Sequence, residues 1–231
     1  MTISTPIQDA FAEVLGRFLS SPIVERIRTG ECDRDAYAGI LSQIFHQTGW
    51  NPQLQAMTTM HFRGEERAQV GRFLAHARSE VGHDEMAKSD LIALGYEVSE
   101  LAESDPLPET AGLIGYAAWS AQWRGPAAYL GYLFFLEFTP TTAGARFADG
   151  LSKAGIPDEA MSFLKEHIVV DEGHNRLMEQ YLEGLIRTPE EQEVFLSAVR
   201  TTAELYERML TAAANAGVAA WGRRQPVEVG P

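Results

Sequence analysis

Residues 76–83 read His-Ala-Arg-Ser-Glu-Val-Gly-His, and residues 167–174 read His-Ile-Val-Val-Asp-Glu-Gly-His. Each carries a histidine, a carboxylate four positions on, a glycine, and a second histidine seven positions from the first. On an α-helix, positions i, i+4 and i+7 share one face. The spacing predicts that His76, Glu80 and His83 project together from one helix, and His167, Asp171 and His174 from another. Ionisable groups on helix faces are costly to bury unless they meet partners. The two segments therefore constrain the chain to a fold that sets two helices face to face.

The rest of the chain agrees with a helical architecture. Apolar residues at 7, 10, 11, 14, 15 and 18 have helical spacing. Asp33 or Asp35 can cap a second helix carrying Tyr37, Ile40, Leu41, Ile44 and Phe45, which should break near Gly49 and Pro52. A long third helix is predicted from Gly64 to a C-cap at Leu94-Gly95, followed by a loop over 96–107 that holds Pro106. Glu109 to Trp123 reads as a fourth helix. Pro126 opens the fifth, and Pro157 is well placed to open a sixth that runs past His174 to about Ile186. Thr188-Pro189-Glu190-Glu191 is a strong start for the seventh. No strand alternation and no dividing linker appear. The expectation is one all-α domain of about seven helices over residues 1–218, with a frayed tail at 219–231.

Composition narrows the partners. The chain has 231 residues, 45% of them hydrophobic, and a formal net charge of −13. Nucleic acid requires clustered positive charge, and only Arg223-Arg224 comes near a basic run. No apolar stretch reaches the roughly 18–20 residues of a membrane span. The first residues carry Asp9 and Glu13 and do not read as a secretion signal. Cys32 is the only cysteine, so no intrachain disulfide forms, and the cytoplasm is the expected compartment.

The ionisable residues point to a metal. In four-helix di-metal carboxylate sites, two helices each give a Glu and two each give Glu-x-x-His. Here Glu80/His83 and Asp171/His174 are the carboxylate-x-x-His pairs. Glu137 sits in Tyr-Leu-Phe-Phe-Leu-Glu-Phe-Thr-Pro, where a buried carboxylate needs a cation. His167 shares a face with the second pair. The fourth helix must precede residue 60 and offers no inward Glu, so His46 is its candidate ligand. A lone helical His is more often structural than ligating, but the joint pattern reverses that expectation for the paired residues. His76 either ligates, caps a carbonyl or hydrogen-bonds a ligating carboxylate, and His61 reads as structural. Gly82 and Gly173, each directly before a key histidine, indicate either close helix packing or access for O₂ or substrate. Cys32 lacks a neighbouring His, and the glycine motifs of nucleotide-binding and Ser-hydrolase folds are absent. Seven candidate donors are too many for one zinc.

At these residues the chain resembles the haem-oxygenase-like di-iron oxidases, also described as iron-containing redox enzymes. The resemblance rests on Glu80-Val-Gly-His83-Asp, Asp90-Leu-Ile-Ala-Leu-Gly95, Gly131-Tyr with Glu137, and His167-x3-Asp171-x2-His174, over about residues 35–185. It implies a haem-oxygenase-like bundle with two Fe(II) ions and O₂ as co-substrate. It further implies a small-molecule substrate, an external electron donor and a homodimer. Family reactions include N-oxygenation of amines or amino acids, oxidative C–C cleavage and desaturation. The family's early helix supplies a Glu where His46 stands here, and this departure keeps an alternative open: a non-catalytic metal- or ligand-binding protein with a degraded second iron site. Relatives on the fold differ in their demands. Haem oxygenase needs a His on its first helix, and residues 1–45 have none; the thiaminase-like branch needs a mid-chain Cys. Trp119, Trp123, Tyr129 and Tyr132 read as core before pocket, and Arg124 beside them is a candidate for holding a substrate carboxylate.

Overall fold

The computed structural model describes residues 5–169 and 171–221, with side chains described for 7–168 and 176–221. The order of helices is α1 (Thr5–Leu19), α2 (Pro22–Thr29), α3 (Arg34–Thr48), α4 (Asn51–Thr58), α5 (Val70–Ser79), α6 (His83–Ala93), α7 (Pro108–Trp119), α8 (Pro126–Lys153), α9 (Ser162–Val169), α10 (Asp171–Leu185) and α11 (Pro189–Ala216). No strand occurs among the described residues. No helix among them is long and apolar enough to cross a membrane.

Local signals set most helix ends. Asp33 accepts a bond from the Ala36 N–H at 2.9 Å and starts α3. Thr188 and Glu191 form a full capping box at the head of α11. Gly95, at φ +80°, closes α6. Pro126 opens α8, and Pro140 lies inside it.

The seven expected helices are present, two of them divided, and the short helices α2 and α4 join them. The stretch predicted as one helix over 64–95 begins as 3₁₀ turns at Gly64–Gln69, continues as α5, turns at 80–82 and resumes as α6. The stretch predicted over 157–186 is a 3₁₀ turn at Asp158–Ala160 followed by α9 and α10. Residues 120–124, expected to end the fourth helix, form a π-helical turn. The tail from residue 222 lies outside the described residues.

The long helices α8 and α11 pack against each other, with α3 and α7 also laid against α11 and α6 against α3. At Gly131 the α8 and α11 backbones approach so closely that a Cβ would stand 2.5 Å from the Phe195 carbonyl oxygen. Around that contact lie the fully buried rings of Tyr129, Tyr132, Phe134, Phe135 and Phe195. Tyr129 and Tyr132 are thus core, as expected from their spacing. The Tyr132 hydroxyl donates to Asn51 Oδ1 at 2.9 Å and accepts from Gln47 Nε2 at 2.6 Å.

Candidate metal centre

Two helices converge on a buried set of donors. His76 is on α5, Glu80 follows that helix, and Glu137 is on α8. One ligand atom from each lies within 4.8 Å of the other two. His76 Nε2 stands 3.5 Å from Glu80 Oε1 and 3.5 Å from Glu137 Oε1. Two carboxylates flanking one imidazole in a protein interior demand a positive charge. In the metal-free chain His76 supplies it. Burial would lower its pKa, but Glu137 and Glu80 outweigh burial and push it up to about 9. Burial alone would raise the Glu80 carboxyl, yet His76 and His83 hold it well below the usual carboxylate range.

His83 and His167 stand beside this set. His83 Nδ1 is 3.2 Å from Glu80 Oε2, but the angle makes no hydrogen bond, and Glu80 Oε1 is also buried without one. Such donor atoms, close but misaligned for a proton, suit a shared cation. Glu80 raises the His83 pKa, against its partial burial. The His83 and His167 rings meet edge to face with centroids 4.8 Å apart. The His167 Nδ1–H donates to the Phe163 carbonyl at 2.7 Å. That bond fixes the tautomer and leaves Nε2 as the bare donor. Burial lowers the His167 pKa, only partly offset by the Phe163 carbonyl, which keeps the ring neutral at pH 7. Carboxylate and imidazole donors of this kind fit iron.

The break between α5 and α6 alters the route by which the first sequence segment reaches the centre. His76 and His83 do not share a continuous helix face; the turn at 80–82 swings His83 back toward Glu80. Gly82 makes the turn possible at φ +99°. A Cβ on Gly82 would meet nothing within 4 Å, so close packing does not explain it; the backbone conformation requires glycine there. Asp171, His174 and Gly173 belong to α10, and their side chains lie outside the described residues.

Other predicted residues are placed elsewhere. His46, expected as a ligand, is not in this group: its Nε2 lies 3.1 Å from Ser104 Oγ. The end of α3 is turned toward the 101–107 segment, where Leu107 N–H and Thr110 Oγ1 bond Gln43 Oε1 at 2.9 and 2.6 Å. Trp119 and Trp123, expected as core, are 47% and 71% exposed. The Arg124 guanidinium lies over Trp119, 5.5 Å from a ring centroid. This trio flanks or lies in the π-helical turn, which the His61 ring meets through a 2.8 Å contact with the Ala121 carbonyl. Cys32 is fully buried, which pushes its thiol up to about 11 and rules it out as a nucleophile.

Three further residues bear on the centre. Asp90 on α6 is fully buried and accepts from Ser162 N–H at 2.9 Å, Ser162 Oγ–H at 2.6 Å and Phe163 N–H at 3.0 Å. It thereby clamps the head of α9 to the helix that carries His83. Its position seven residues after His83 was the available signal. Tyr181 stacks on His76 with centroids 6.1 Å apart, and its buried hydroxyl has no hydrogen bond. It follows His174 by seven positions. Gln55 on α4, beside Tyr181, is fully buried with neither amide atom bonded, and nothing in its sequence surroundings marks it.

Comparison with known proteins follows this geometry. The sequence pattern of a family described as iron-containing redox enzymes matches residues 39–207, which hold His76, Glu80, His83, Glu137 and His167. The chain belongs to that family. This iron-containing redox family member is also similar in fold to solved structures. One is a domain of unknown function with a heme oxygenase-like fold from Shewanella denitrificans OS217, 23% identical, at a TM-score of 0.83, covering 93% of this chain and 94% of that one. A TenA homolog from Pseudomonas syringae pv. tomato DC3000 is 13% identical at 0.77, covering 91% of each chain. A TenA homologue from P. horikoshii OT3 is 11% identical at 0.71, covering 92% of this chain and 98% of that one. The all-α, haem-oxygenase-like architecture expected from sequence is the observed one. No curated protein matches the chain significantly.

Proposed function

We propose that the chain is a non-haem iron oxidoreductase that uses O₂ to oxidise a small molecule at a centre built on His76, Glu80, His83, Glu137 and His167. Asp171 and His174 complete the ligand set in this reading, as their place in the sequence pattern suggests. The supporting observation is the buried convergence of His76, Glu80 and Glu137, inside a chain of iron-containing redox family membership. Iron bound there supplies one-electron redox chemistry and O₂ activation, with an external donor returning the electrons.

The protein's own groups have separate tasks. Glu80 and Glu137 neutralise the metal charge. His167 offers Nε2 because Phe163 holds its other nitrogen. His76 keeps the two carboxylates together through its proton when metal is absent, and releases that proton when metal takes its place. The aromatic and aliphatic shell around α8 limits water. The reaction class stays within N-oxygenation, C–C cleavage or desaturation of a small organic substrate.

A second reading has an observation in its favour. Among the described residues only three donors converge within 4.8 Å, and His46 stands apart with Ser104. That arrangement suits one metal ion in a binding protein. Anaerobic ferrous titration with Mössbauer detection separates the two readings. Two irons per chain that oxidise together on O₂ exposure support the di-iron oxidase. A single iron inert to O₂ refutes it and leaves the binding protein.

A further inference from the structure

Beside the centre, the bundle forms an apolar cavity of about 80 Å³ between α2, α3, α8, α9 and α11, partly open at its rim. Ile40, Leu41 and Ile44 of α3 line it together with Leu151 of α8. His167 reaches its edge. No Asp, Glu, Lys or Arg is among the residues that line it. Thr139 is in the wall, but its hydroxyl is already bonded to the Phe135 carbonyl at 2.6 Å. Water needs two to four polar partners to stay in a cavity, and apolar cavities remain dry. The space is about half of the roughly 150 Å³ that admits benzene in an apolar core. Its natural occupant is a small, uncharged, apolar molecule.

We infer that this cavity binds dioxygen and holds it at the His167 edge of the centre. The inference rests on the reading of the centre as an O₂-using iron site. An apolar tail of an organic substrate shares the same chemistry. It is disfavoured because the space is smaller than a benzene site and none of the lining residues carries a charge to hold the rest of such a molecule. Pro140 adds to the design. It has no N–H for the Leu136 carbonyl four residues back, so the wall of α8 is interrupted where both residues face the cavity.

Xenon is the probe, because it is apolar, inert and indifferent to iron. Crystals of the metal-free protein under xenon pressure should show one site bounded by Ile40, Ile44 and Leu151. Ile40→Phe and, separately, Leu151→Phe fill the space from two different helices. Each should remove xenon occupancy while leaving the number of ferrous ions bound unchanged. In the iron-loaded protein each should raise KM for O₂ at least fivefold, with kcat at saturating O₂ retained. Ordered water in place of xenon, or an unchanged KM for O₂ in folded variants that exclude xenon, overturns the proposal. A variant with unchanged KM for O₂ that loses binding of 1-butanol assigns the cavity to an organic tail and equally overturns it. If both variants unfold, xenon occupancy of the unaltered protein decides. Failure of the underlying reading looks different: xenon binds, but iron does not load or is inert to O₂, and the delivery role falls with it.

Discussion

Replacing Gly82 with alanine isolates the backbone contribution to the centre. At φ +99° and ψ −2° an L-residue costs about 1–2 kcal/mol relative to glycine. The new methyl meets no atom within 4 Å, so no packing cost adds to this. Loss of glycine's freedom in the unfolded chain returns about 0.4–1 kcal/mol. The net expectation for Gly82→Ala is about 1 kcal/mol of destabilisation, or roughly 2–4 °C in melting temperature for a chain of this size. Asparagine tolerates the left-handed region better, so Gly82→Asn should cost about half as much. Gly71 is the internal control. It lies in α5 with ordinary dihedrals and open space around its Cβ, and Gly71→Ala should stabilise by up to about 1 kcal/mol. Urea unfolding of the metal-free protein measures all three, and ferrous titration shows whether His83 is still delivered to Glu80. A Gly82→Ala protein as stable as the parent, or an asparagine variant no better than alanine, refutes the backbone argument.

Three other outcomes follow from the same geometry. Tyr181→Phe removes a buried hydroxyl that has no hydrogen bond, so the metal-free protein should be unchanged or more stable by up to about 1–2 kcal/mol; a loss above 1 kcal/mol in urea unfolding shows a hidden partner. Asp90→Ala removes an acceptor of three bonds at the head of α9 and should cost about 3 kcal/mol, whereas a cost below 1 kcal/mol contradicts the clamp. The pH dependence has two limbs. The His76 pKa is raised from 6.5 to about 9, so its contribution, at most about 3 kcal/mol, is full below pH 6.5 and is lost as pH rises through 9. The Glu80 pKa is lowered from 4.5, so its contribution is full above that value and is lost as pH falls below it. The melting temperature of the metal-free protein should therefore peak between about pH 4.5 and 6.5 from these two groups. His76→Gln should shrink the alkaline decline to the part contributed by His83, whose pKa Glu80 also raises, and parallel declines of equal size in both proteins would contradict this account.

Helical periodicity, Asp33, Gly95 and the Thr188 capping box were legible because each depends on neighbours within one or two turns. Glu137 was legible from its apolar surroundings, since burial of a lone carboxylate needs a reason. The break at Glu80–Gly82 was hidden by the very spacing that drew attention to His76 and His83: i, i+4 and i+7 describe an unbroken helix, and the turn brings Glu80 and His83 together by another route. His46 pointed elsewhere because the direction of α3 near its end is set by Gln43, Ser104 and the 101–107 segment, contacts some sixty residues away. Gln55 carries no local mark, since its place beside Tyr181 depends on distant packing, and Tyr181 is marked only by its position seven residues after His174. Trp119 and Trp123 read as core by type, but they stand exposed at the end of α7 and in the π-helical turn.

The Asp90 clamp spans 72 residues between α6 and the first turn of α9. Closing a loop of that length carries an entropic cost that only the packed bundle recovers. In the proposed reading, a metal ion held between His83 and His167 would tie the same two helices a second time, and would stabilise the closed bundle through its affinity for the native state alone.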